Sequence, residues 1–105
     1  MLEDITLHHT KMSHKNERVF VLQFPVGEFD MVRANQEKET CEIYEIKHSK
    51  EISPFQTRHL IDEEKLKSTA FLYGDIVSKN VLYQGEAGEV DEITYQNVSD
   101  YLLSL

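Results

Sequence analysis

The sequence predicts an α/β or α+β domain in which helices flank a mixed sheet. Three observations carry this. Runs of β-forming residues lie between Val19 and His48, and again between Asn80 and Gln96. Between them, Ser53-Pro54-Phe55-Gln56 has the form of a helix start. The C-terminus repeats apolar residues at i, i+3, i+4 and i+7. Helices and strands mixed in this order pack as layers around a common core.

The first ten residues suit a short helix. Leu2, Ile5 and His9 fall at helical spacing, and Glu3 and Asp4 complement a helix N-terminus. Residues 10–18 are polar and read as a loop. Val19 to Phe24, closed by Pro25 and Gly27, reads as a buried strand. Glu28–Ala34 and Thr40–His48 follow as strands around the polar turn of residues 35–39. Ser53 then stands as N-cap, Pro54 as first helical residue and Gln56 as the closing member of a capping box. That helix is expected to reach about Lys67. Phe71-Leu72-Tyr73 leads into a strand at Asn80–Gln84, residues 85–88 form a loop, and Val90–Gln96 is the last strand. Asn97 caps a final helix whose stripe, Val98, Tyr101, Leu102 and Leu105, is core packing.

Composition bounds the function. The chain has 105 residues, 11 Lys and Arg against 19 Asp and Glu, and a formal net charge of −8. Length and balance fit one domain, residues 1–105. No run approaches the roughly 18 apolar residues of a membrane span. No secretory leader is evident, and the single Cys41 excludes an internal disulfide framework; a cytoplasmic location is expected. Nucleic-acid binding through phosphates needs a basic patch, and the densest positive stretch is only Lys11, Lys15 and Arg18. There is no P-loop, no GxGxxG and no GxSxG. His8, His9, His14, Arg58 and His59 read as solvated positions, and Cys41 as a small apolar residue.

The informative residues are Asp30, Glu45 and Lys47. Side chains alternate along a strand, so Glu45 and Lys47 share a face, about 7 Å apart. A four-residue hairpin loop at residues 36–39 pairs Asn35 with Thr40 and, by the same register, Asp30 with Glu45. Directly opposed residues have Cβ atoms about 5 Å apart. Two carboxylates there repel unless a cation lies between them, and Mg²⁺ or Mn²⁺ takes such oxygen ligands. Lys47 then stands where it can prepare a water and stabilise charge on a phosphate. The other reading is a solvent-facing strand with an ordinary ion pair, and a one-residue slip separates the acids.

Gly27-Glu28-Phe29-Asp30 followed by Glu45-Ile46-Lys47 resembles the D…(D/E)xK signature of the PD-(D/E)XK nuclease superfamily. The Gly-Glu-Phe before the acid departs from the proline of the family name, and Gly-Glu-apolar-Asp is a frequent variant. Further segments, Glu42 to Ser49, Gln56 to Leu60, Val81 to Glu86 and Asn97 to Leu102, resemble the C-terminal nuclease-like domain of bacterial and archaeal AAA-type P-loop ATPases. The resemblance implies a restriction-endonuclease-like fold and a longer parent, of which this chain is the C-terminal part and a P-loop ATPase domain the partner. It implies Asp30, Glu45, Lys47 and Gln56 as catalytic residues and Glu3, with Asp4 as substitute, beside Asp30 and Glu45 as metal ligands. Mg²⁺-dependent phosphodiester hydrolysis stands beside a second reading, a non-catalytic assembly or regulatory module on the same fold. The acidity favours the second, and nucleic acid is expected to bind weakly.

Overall fold

The computed structural model describes residues 2–25, 27–51 and 54–105; of Glu3, Pro54, Phe55 and Gln56 it describes the backbone alone. Helix α1 spans Leu2–Ser13 and is followed by strands β1 (Arg18–Gln23), β2 (Glu28–Asn35) and β3 (Thr40–Ile46). A 3₁₀ segment (Pro54–Ile61) and helix α2 (Glu63–Tyr73) lead to β4 (Asp75–Tyr83), β5 (Gly88–Val90), β6 (Ile93–Asn97) and helix α3 (Val98–Ser104). The six strands form one mixed sheet in the order β1-β2-β3-β4-β6-β5. Among the described residues no helix is long and apolar enough to cross a membrane.

The β1–β2–β3 meander is antiparallel, and β4 pairs parallel to β3. A parallel neighbour requires a crossover, which the 3₁₀ segment and α2 supply. Strand β6 is also parallel to β4, with β5 as the returning strand that pairs antiparallel on its outer side. The sheet has a core on each face. Phe29, Val32, Ala34, Cys41, Ile43 and Val81 pack under Leu60, with Leu66 and Tyr73 of α2 against them. Met31, Tyr44, Ile46 and Leu82 pack with Val98 and Tyr101 of α3 and with Leu2 and Leu7 of α1. The Thr10 hydroxyl meets Tyr101 Oη at 2.9 Å, joining α1 to α3 inside this second core.

Several boundaries differ from the sequence reading. Helix α1 runs on to Ser13, and its buried positions are Thr6 and Thr10, while Ile5 and His9 face solvent. Val19–Phe24 is not a fully buried strand: β1 is at the sheet edge and only Val19 is buried. Strand β3 ends at Ile46, before Lys47.

The expected helix from Ser53 to Lys67 is in fact two elements. A 3₁₀ segment comes first, and Asp62 then caps α2, its carboxylate accepting from Glu64 N (3.1 Å) and Lys65 N (3.3 Å). Ser53 lies outside the described residues, as does the Gln56 side chain of the supposed capping box. Phe71-Leu72-Tyr73 is the last turn of α2, not a lead-in. Gly74 ends that helix at φ +98, and β4 starts at once, passing through Ser78-Lys79-Asn80. The single strand expected at 90–96 is the β5–β6 hairpin, turned at Asp91 and Glu92, both at positive φ. The Asn97 cap and the burial of Val98 and Tyr101 are as the sequence predicts.

Loss of a capping carboxylate costs about 1 kcal/mol. Asp62→Ala is therefore expected to lower unfolding stability by that amount in urea, with an unchanged m-value. Gly74→Ala is expected to cost more, about 1–3 kcal/mol, because a Cβ there collides with the Glu39 carbonyl and the φ is left-handed.

Candidate metal centre

The site is built at the end of the β2–β3 ladder. The observed register pairs Asn35 with Thr40 and continues through Met31 with Tyr44. The paired ladder stops there, one step short of the Asp30–Glu45 pair that the four-residue loop predicts, and the Asp30 side chain meets the end of β3. A feature that alternation did not reveal lies beside it. Phe20 pairs with Val32 and Leu22 with Phe29, so two steps on β1 match three on β2. Strand β2 carries a bulge at Asp30-Met31, which leaves Phe29 and Val32 in one core and Met31 in the other. Bulges re-aim side chains at such places. Here Asp30 Oδ2 accepts a hydrogen bond from Ile46 N at 2.8 Å and finishes the ladder with a side chain.

Strand alternation puts Glu45 on the face of Cys41 and Ile43. Its side chain is 3% exposed. Lys47 Nζ stands 3.5 Å from Glu45 Oε2, while Glu45 Oε1 is buried and has no hydrogen-bond partner among the described residues. Burial pushes the Glu45 carboxyl up to about 8; the charge and hydrogen bonding of Asp30 add to this, and Lys47 opposes it. Lys47 N donates to Leu82 O at 2.9 Å, so the backbone continues along β4 for one residue past β3.

The structure thus brings together Asp30, Glu45 and Lys47. The backbone of Glu3 lies in the first turn of α1 and that of Gln56 in the 3₁₀ segment; both side chains lie outside the described set. Among the described residues no group of three or more His, Cys, Asp or Glu side chains could hold a metal ion. Asp30 and Glu45 are two such groups, and a hard cation such as Mg²⁺ is commonly held by one or two carboxylates with water. The orphaned Glu45 oxygen is an available donor of that kind. Cys41 is buried in the core, its thiol pushed up to about 11 by burial and then by Glu42 and Asp75, so it acts as an apolar filler.

His8 and His9 are exposed, as expected, but two neighbouring expectations need correction. His14 is tied to Arg33 Nη2 (3.2 Å) and Glu17 (3.2 Å). His59, expected on a solvated face, packs against Gly27 and bonds Lys65. The sequence held one signal for this, the glycine three residues before Asp30.

Comparison with known proteins finds no family pattern, no curated protein and no solved structure that matches this chain.

The raised Glu45 carboxyl sets a pH dependence. The unfolded chain loses that proton near 4.5 and the folded chain near 8. Between these values the folded state binds more protons, so its stability falls as pH rises. In EDTA, the melting temperature is expected to decline from pH 5 to pH 8, and Glu45→Gln to flatten that decline.

Proposed function

We propose that Asp30, Glu45 and Lys47 are the centre of a metal-dependent phosphodiester hydrolase, the activity implied by the PD-(D/E)XK resemblance. One observation carries this reading: two carboxyls meet at a strand end, one buried with an oxygen that has no hydrogen-bond partner among the described residues, and a lysine stands beside them. A buried carboxyl oxygen left without a hydrogen bond costs free energy. A divalent cation between the two acids offsets that cost, and Mg²⁺ or Mn²⁺ suits their hard oxygens. When bound, the cation supplies Lewis-acid stabilisation of charge on a phosphate oxygen. Asp30 and Glu45 would hold it, with Glu3 as third ligand. Lys47 offers ammonium protons to the attacking water or a phosphate oxygen, and Gln56 helps to orient that water. The order helix, three strands, helix, strand in α1, β1–β3, α2 and β4 supports the same assignment.

The parent of this reading is a cytoplasmic AAA-type ATPase whose P-loop domain brings the substrate. The net charge of −8 favours a second reading, in which the fold serves as a non-catalytic assembly module on that ATPase.

A ligand that binds only the folded state raises its melting temperature by mass action. Millimolar Mn²⁺ or Mg²⁺ is expected to do so here, and Asp30→Ala to abolish the rise. Lys47→Ala is expected to keep metal binding but to slow cleavage of single- or double-stranded DNA or RNA by roughly 10²–10³, as for loss of one preorganised donor. Metal binding without cleavage of any nucleic acid by the wild type would favour the assembly module.

A further inference from the structure

His59 lies within reach of the charge of Lys47, and the chemistry above does not use it. The edge of its ring rests on Gly27, where a Cβ would collide with Cε1 and crowd both ring nitrogens. Gly27 also has φ +84, a conformation that other residues adopt only with strain. On the other side, Lys65 Nζ lies 2.6 Å from His59 Nδ1. An ammonium has no lone pair to accept with. Lys65 is therefore the donor, Nδ1 the acceptor, and the proton of the neutral ring sits on Nε2.

Lys65 is itself held in place. Its ammonium lies 5.7 Å above the Phe24 ring and 3.8 Å from the Asp62 carboxylate, and its side chain is 11% exposed. Burial, then Lys65, Arg58 and Lys47, lower the proton affinity of His59, and Asp62 opposes them. A neutral imidazole with a cation behind Nδ1 is a polarised donor at Nε2–H. His59 lines a surface pocket of about 630 Å³ together with Phe24, Arg58, Ile61, Lys65 and the acids Asp62 and Glu64. Asp62 Oδ1 accepts from the amides of Glu64 and Lys65, and its Oδ2 lies 3.8 Å from the Lys65 ammonium.

We propose that His59 contacts the substrate, its Nε2–H donating to a non-bridging oxygen of a phosphodiester that flanks the one held at Asp30 and Glu45. Lys65 and Gly27 position the ring, and Arg58 adds positive charge at the same rim. This rests on the hydrolase reading and names one contact through which a single strand of nucleic acid is held.

The test titrates the 105-residue chain, in EDTA, with the dinucleotide thymidylyl-thymidine, following the histidine ring nitrogens by long-range ¹H–¹⁵N NMR. His59 is expected to show the Nε2–H tautomer and a saturable shift at Nε2. His59→Ala is expected to weaken the dinucleotide about ten-fold, as for loss of a hydrogen bond to a charged group. His59→Gln, whose amide N–H reaches towards the place of Nε2, should recover most of the affinity, and Mn²⁺ affinity should stay unchanged in both. An unmoved His59 signal, no dinucleotide binding by the wild type, or equal binding by His59→Ala overturns the contact. Metal-dependent cleavage measured in parallel separates the two claims. Cleavage without a His59 effect sinks only the contact, whereas His59-dependent binding without cleavage in any metal sinks only the hydrolase.

Discussion

The 2.8 Å hydrogen bond from Ile46 N to Asp30 Oδ2 joins the register of the sheet to the candidate chemistry. A strand pair that stops must satisfy its last backbone amides, because a buried unpaired amide is costly. At the end of β2 and β3 a side chain does this, and it is the carboxylate of the bulge. The same bond holds Asp30 within reach of the Glu45 carboxyl. A slip of one residue would carry Glu45 to the opposite face, where Tyr44 and Ile46 pack against Tyr101, and no carboxyl could ionise there without severe cost. The apolar alternation of β3 and the acid pair therefore specify one another.

Arg33, Arg18 and Lys65 are tied into the fold by side-chain contacts. Arg33 donates to Glu17 (2.7 Å) and Tyr44 Oη (3.1 Å) and lies 3.4 Å from Glu42, pinning the loop after α1 to β2 and β3. Arg18 lies over the rings of Phe20 and Tyr73. Lys65 is enclosed by His59, Asp62 and Phe24. The acidic excess of the composition remains, 19 Asp and Glu against 11 Lys and Arg. Binding of a polyanion then depends on a local site and not on a general field, since exposed charges more than a Debye length apart are screened.

Legibility followed the range of the interactions. The hairpin at residues 36–39 and the Asn97 cap are local, set by a few neighbouring residues, and both were readable. The break at Asp62 was also local. It was missed because Ser-Pro-x-Gln is the louder helix signal, although Asp62 with Glu63 and Glu64 behind it has the composition of a helix start. Strand β4 was hidden by Gly74-Asp75 and Ser78-Lys79-Asn80, which look like turns. They are tolerated there because Asn80 Nδ2 donates to Ile43 O and to Ser78 Oγ, and Ser78 Oγ donates to Glu42. Glu42 and Ile43 come from β3, more than thirty residues away, so no local pattern could signal those two bonds.

The sequence by itself determined the class of fold, the hairpin that sets Asp30 against Glu45, and the placing of Lys47 two residues on. These depend on periodicity and on a loop length, both of which are written along the chain. Only the tertiary structure decided that β2 carries a bulge, that Asp30 completes the ladder, that Glu45 is buried with an orphaned oxygen, and that His59 is clamped between Gly27 and Lys65. Each of these needs a second element folded over the first. The burial that shifts the Glu45 carboxyl arises when the 3₁₀ segment and α2 cover the sheet, and the tautomer of His59 follows from a lysine that the break at Asp62 brings round to meet it.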